Sequence, residues 1–173
     1  VKVPADLKGV RVRTPGAPVW LETVRAMGAT PTGMPWSEVY SALQTKVIDG
    51  AEAQHPAVFG ARLYEVVKII NSTLSVEDVL NIYLITGIVT SRTWFDKLPA
   101  DQQAILSEES FAAGKGASEA TIASLADYEK KLREKGVTIV EIDKAPFKAA
   151  TAGVYQTLGY TDLRRDVDKA LGK

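Results

Sequence analysis

Asp6-Leu7-Lys8-Gly9-Val10-Arg11-Val12-Arg13-Thr14-Pro15 sets the architecture of this chain. Gly9 on one side and Pro15-Gly16 on the other bracket a short β-branched run, which predicts a strand over Val10 to Thr14. Residues 18–27 follow with Val19, Thr23 and Met27 at fourfold spacing and Gly28 just beyond, the pattern of a capped helix. Thr30 to Gly33 predicts a second short strand. Strand, helix and strand in such close succession define a βαβ unit and therefore a parallel sheet.

The same grammar continues outward. Pro35 suits the first turn of a helix reaching about Lys46, with Val39, Leu43 and Val47 on one face. Asp49-Gly50 signals a turn, followed by a short extended piece and a helical turn near residues 57–64. A third strand is predicted over 65–71 and another over the β-branched stretch 79–90; Ser91 can cap a short helix over 92–97. Residues 99–135 hold no internal proline and are rich in Ala, Gln, Glu, Lys and Leu. An unbroken helix of that length spans roughly 55 Å, whereas a compact chain of this size is about 40 Å across. It must break or cross more than one lobe, and Gly114 and Gly116 mark the expected kink. Gly136 ends it; a strand over 137–142, a helix capped by Asp143 and a last helix over 163–171 complete an α/β chain with a mainly parallel sheet.

Composition narrows the function classes. The chain has 173 residues, 46% hydrophobic and 24% charged, ordinary values for a globular domain. Twenty-one basic and 21 acidic residues cancel, which argues against nucleic acid or an anionic membrane as partner. There is no cysteine, so disulfides and thiolate metal sites are excluded. His55 is the single histidine and supplies neither a metal site nor a triad. No Walker or G-x-G-x-x-G pattern occurs, and Ser37, Ser41 and Ser110 lack a nucleophile elbow. No cofactor is implied. No apolar run approaches a membrane span, the stretch 79–89 being interrupted by Asn81, Thr86 and Gly87. The chain begins at Val1 and reads as processed or truncated.

The opening stretch, then Met34-Pro35-Trp36-Ser37-Glu38-Val39-Tyr40, Ile48-Asp49-Gly50-Ala51-Glu52, Leu63-Tyr64-Glu65-Val66, Trp94-Phe95-Asp96-Lys97-Leu98-Pro99 and Gly136-Val137-Thr138-Ile139-Val140, stand in one register over nearly the whole chain. In that order they resemble the periplasmic solute receptors of tripartite ATP-independent (TRAP) transporters, the DctP-type family. The resemblance implies a periplasmic-binding-protein-like α/β fold with a hinge strand and one long backing helix. It implies a two-lobed, non-catalytic receptor, its signal peptide removed, that closes on a small organic acid and hands it to a TRAP membrane permease. By the same resemblance residues 1–77 plus 119–146 form the second lobe, here incomplete, and 78–118 belong to the first lobe and hinge. The rest of that first lobe is expected to be absent N-terminally, and residues 147–173 to pack as helices across the lobes.

Arg13 is the leading candidate for the ligand contact. A guanidinium matches a carboxylate bidentately and stays charged, and the resemblance places the family's ligand arginine at this position. Residue pattern alone also permits a surface ion pair, because Arg11 shares its strand face. Trp36 is either a cleft wall or a core anchor, and the resemblance favours the wall. Glu52, Ala53 and Gln54 come just after Asp49-Gly50-Ala51, and by the resemblance Glu52 and Gln54 flank the cleft. Ala53 stands where family members often carry a ligand-contacting Asn, and Gln54 is the neighbouring substitute. Glu52 reads rather as a structural acceptor for backbone or arginine, because an acidic group in an anion site repels the ligand. Trp20, Tyr40 and Tyr64 read as core residues. Two other functions remain open from the residues: a small α/β enzyme using Glu38, Asp49 or Glu52 as acid and base, and an interaction module on the stripe Thr121, Leu125, Tyr128, Leu132. An unpartnered apolar strand over 79–89 predicts that the isolated chain forms a homodimer.

Overall fold

A computed structural model of the chain describes residues 1–72 and 88–172. A 3-10 turn over Pro4–Leu7 leads into β1 (Arg11–Thr14). The helix α1 (Pro18–Ala26) crosses to β2 (Thr30–Gly33), and β3 (Gly50–Ala51) joins the other edge. The sheet order is β2-β1-β3, all parallel, with Arg13 opposite Thr32 on one side and Ala51 on the other. β4 (Ile69–Ser72) and β5 (Thr138–Glu141) pair in parallel as a second, two-stranded sheet. The remaining described helices are α2 (Val39–Gln44), α3 (His55–Gly60), α4 (Arg92–Phe95), α5 (Ala100–Glu134), α6 (Ala145–Thr151), α7 (Val154–Thr157) and α8 (Thr161–Ala170).

Two cores hold these layers. Leu7, Val24, Met27 and Ala29 meet Phe147 and Val154, so α6 and α7 close the outer face of the β1–α1–β2 unit. Val39, Leu43, Ile48, Val58 and Leu63 meet Leu132, Val137 and Ile139, so the C-terminal end of α5 backs the second core. Helix ends are set by paired bonds. Beyond α1 the N–H of Ala29 reaches the Val24 carbonyl and that of Gly28 reaches Arg25, with Gly28 at φ +100. Gly136 (φ +81) closes α5 in the same way, through Val137 to Leu132 and Gly136 to Arg133. This is the αL cap that favours glycine.

Several expectations are corrected. The helix opened by Pro35 splits into a 3-10 turn over Trp36–Glu38 and the short α2. It stops at Lys46, a non-glycine residue at φ +58, whose N–H bonds the Leu43 carbonyl while Val47 bonds Ala42. Val47 is thereby thrown outward, 53% exposed, and Ile48 takes the core position instead. Asp49-Gly50 is no turn: the Asp49 carboxylate is bonded by Arg11, and Gly50 enters β3. The helical turn near 57–64 is α3 plus a 3-10 turn over Leu63–Glu65, which displaces the third strand to Ile69–Ser72. Of the strand expected over 79–90, residues 79–87 lie outside the described residues, and 88–90 form no regular element. Ser91 sits at the N-cap of α4 without a side-chain bond. The long helix does not break: α5 runs through Gly114 and Gly116, with Ser118 bonded to the Gly114 carbonyl. Two glycine penalties of about 1 kcal/mol each are outweighed by the helix formers around them and by ion pairs such as Asp127–Lys131 and Glu129–Arg133. Asp143 accepts the Ala145 N–H, and the last helix begins slightly earlier than expected, at Thr161.

Candidate functional site

The central strand of the first sheet delivers Arg13. Its register neighbours Thr32 and Ala51 are small, which leaves room for a long side chain to lie over the sheet. The arginine is 6% exposed. Its Nε donates to the Met34 carbonyl at 3.0 Å, and the guanidinium lies 5.4 Å from the centre of the Trp36 ring. The ion pairs among the described residues leave it out. Burial pushes its pKa down, and the field of Glu52 partly opposes that shift. It remains a cation all the same, since a guanidinium titrates far above physiological pH. A buried charge is costly unless paired, so the position calls for an anion.

The space for one is adjacent. A cavity of about 410 Å³ is lined by Arg13, Pro15, Gly16, Gly33, Met34 and Pro35. It lies just outside the carboxyl ends of β1 and β2, the usual ligand position in parallel α/β layers, and its volume falls in the range of small-molecule sites. Sequence reading passed over Pro15, Gly16, Gly33 and Met34. The signal was the paired breakers Pro15-Gly16 and Gly33-Met34-Pro35, which end neighbouring parallel strands at the same level. Gly33 is held to its size: a Cβ there would meet Gly16 Cα at 3.3 Å.

Trp36 opens the 3-10 turn after Pro35 and is 38% exposed, so it is no core anchor; its ring lies beside the Arg13 guanidinium but is not among the residues that line the cavity. Trp20, Tyr40 and Tyr64 pack partly buried against the two cores, and the Tyr40 hydroxyl donates to Glu65 at 2.7 Å. Glu52 follows β3, and its N–H donates to the Arg13 carbonyl at 3.0 Å. Glu52 and Ala53 line a second groove of about 650 Å³, bounded by β1, β3 and β4, and not the Arg13 cavity. Gln54 is exposed at the N-cap of α3 and makes no capping bond. The fold thus brings Arg13 and Trp36 together, keeps Glu52 within electrostatic reach, and sets Ala53 and Gln54 apart.

None of the carboxylates considered for acid–base work lines the Arg13 cavity. Asp49 is bonded to the backbone and side chain of Arg11, which holds its carboxyl well below the usual carboxylate range, the opposite of a general acid. Among the described residues no group of His, Asp and Glu is placed to hold a metal ion. No described helix is long and apolar enough to cross a membrane.

The fold is thus an α/β one of parallel strands, with a buried guanidinium on its central strand beside an indole and a cavity beyond the strand ends. The chain belongs to the bacterial extracellular solute-binding protein family 7, whose profile matches residues 1–162. A solute-binding protein of Roseobacter denitrificans is 37% identical over 147 residues, which is 85% of this chain and 43% of that protein. A TRAP periplasmic solute-binding protein of Escherichia fergusonii, solved in an apo open form, superposes with a TM-score of 0.83 at 44% identity. That match covers 98% of this chain and 55% of the other. One from Pseudomonas putida, solved with bound D-glucuronate, superposes with a TM-score of 0.82 at 31% identity and covers 97% and 54%. The chain spans about half the length of the curated relatives it matches.

Proposed function

We propose that this chain is the ligand-gripping part of a periplasmic receptor that captures a small organic acid and delivers it to a TRAP membrane permease. The supporting observation is Arg13: a buried cation facing a cavity, with no carboxylate bonded to it among the described residues. The ligand's carboxylate pairs with its fork, and the Trp36 ring covers the body of the ligand. Binding is the work, and no turnover is proposed. Residues 1–77 with 119–146 form one lobe, 78–118 belong to the other lobe and hinge, and 147–173 bridge them. Glu52, Ala53 and Gln54 border the ligand when the lobes close. The bound D-glucuronate of the Pseudomonas putida relative makes sugar acids the first ligands to try. In isolation the chain pairs with a second copy.

Titration calorimetry against D-glucuronate, succinate, pyruvate and benzoate tests the reading. At least one acid is expected to bind, and its neutral amide is not. Arg13→Ala is expected to weaken that binding by about 2–5 kcal/mol, because the ligand charge is left unpaired. Arg13→Lys is expected to fall between, since it keeps the charge and loses the planar fork. A loss of less than about threefold for Arg13→Ala, well under 1.4 kcal/mol, overturns the assignment.

A further inference from the structure

We infer that the turn before α1 is the second half of the anion cradle, so that the ligand's carboxylate is shared between the Arg13 guanidinium and the backbone N–H groups of Gly16 and Ala17. The inference rests on the reading of Arg13 given above and adds a group that makes no use of side-chain charge. Pro15 and Gly16 line the same cavity as Arg13. Among the described residues, the N–H groups of Gly16, Ala17 and Val19 donate to no acceptor, and Pro15 and Pro18 have no N–H at all. The N-cap of α1 is Ala17, which has no side chain to cap with, and the first turn of the helix holds no acidic residue. Among the described residues, therefore, no side-chain cap or first-turn acid compensates the positive end of this nine-residue helix.

Arg13 supplies the independent observation. It is 6% exposed, one of its donors is taken by Met34, its guanidinium lies over the Trp36 ring, and its two terminal nitrogens have no hydrogen-bond acceptor among the described residues. A guanidinium carries five N–H donors, so four remain for a ligand on this wall of the cavity. The turn is pressed into place opposite: Gly16 Cα lies so close to Gly33 that a Cβ there would meet it at 3.3 Å, with Leu21 Cδ2 at 3.6 Å. Two donor sets on one small cavity, one charged and one dipolar, suit the two oxygens of a carboxylate.

Acetate is the appropriate probe, because it is a carboxylate head with nothing else to recognise. Amide and arginine Nε shifts of the 173-residue chain are followed by NMR as acetate replaces chloride at constant ionic strength. The Gly16 and Ala17 amides are expected to shift saturably with the same midpoint as Arg13 Nε. Ala17→Pro is expected to weaken acetate by about tenfold, the scale of one hydrogen bond to a charged group. That variant removes one N–H that no protein group uses, at a residue whose φ of −72 already suits proline. Its melting temperature is expected to match the parent, and Gly33→Ala, which pushes on Gly16, to weaken acetate as well. If Arg13 Nε responds while the Gly16 and Ala17 amides stay fixed, the shared cradle is wrong and the role of Arg13 stands. If no resonance at Arg13 responds, both fall together.

Discussion

Arg11 and Arg13 leave the same strand two residues apart and serve opposite ends. Arg11 is exposed and closes on Asp49 through Nε at 2.9 Å and a terminal nitrogen at 2.8 Å, while its backbone N–H also donates to that carboxylate. The pair clips β3 to β1. Asp49 has its folded pKa depressed, chiefly by the side-chain and then the backbone bonds from Arg11. Its stabilising effect is therefore complete above the unfolded value, about 3.9, and fades as pH falls below that towards the folded value. Asp49→Asn is expected to lower the melting temperature at pH 7 and to match the parent more closely as the medium is acidified towards pH 2; a gap that widens in acid would contradict this. Which arginine faced the cavity was not legible from alternation, since both share a face. Tertiary contacts tell them apart: Arg11 pairs with Asp49, and Arg13 reaches the Met34 carbonyl because β2 ends beside β1. The family resemblance pointed to Arg13 and Trp36, but the Gly16–Gly33 approach is a tertiary fact that no local pattern encodes.

At the scale of elements, helix ends decide what the periodicity could not. The fourfold spacing of Val39, Leu43 and Val47 is present, yet the cap at Lys46 turns the chain before its third member. A non-glycine αL residue costs roughly 1–2 kcal/mol. Lys46→Gly removes that strain and keeps the carbonyl that Arg11 uses, so it is expected to stabilise the chain by about 1 kcal/mol in a denaturant titration. β1, β2 and α1 were legible because Gly and Pro punctuate them sharply, whereas the third strand, with no such mark at its start, was read too early. The continuity of α5 was not, because two glycines in a row of strong helix formers read as a kink. The stripe on that helix likewise divides: Leu132 is fully buried and Tyr128 stacks 5.8 Å from Phe59, whereas Leu125 is 42% exposed. Leu132→Ala is expected to cost about 2–5 kcal/mol and Leu125→Ala within about 0.5 kcal/mol, measured by the same titration; equal costs would show that α5 is not docked where its end packs.

The whole molecule exposes more than its mass calls for. Its accessible surface is 11195 Å², whereas a folded chain of 18.7 kDa is expected to show roughly 8,300 Å². Ile105, Leu106, Phe111, Ile122 and Leu125 expose apolar surface along α5. Phe111 is 77% exposed and Ile122 is 70% exposed, and their separation of three helical turns puts them on one line, with Leu125 close beside it. Ser118 lies between them, Ala104 and Ser107 continue the line towards the start of the helix, and these small residues leave the stripe smooth enough for a second helix to approach. A standard interface needs about 800 Å² from each partner, well inside the excess. Two copies packed along this stripe are therefore expected in solution. Sedimentation equilibrium should give a mass near twice that of the chain, falling to that of one chain on dilution. Phe111→Asp puts a charge where the partner sits and is expected to leave a monomer with unchanged helix content, since that side chain touches no core. A chain that sediments as a monomer at every concentration, or a dimer indifferent to Phe111→Asp, removes α5 as the contact.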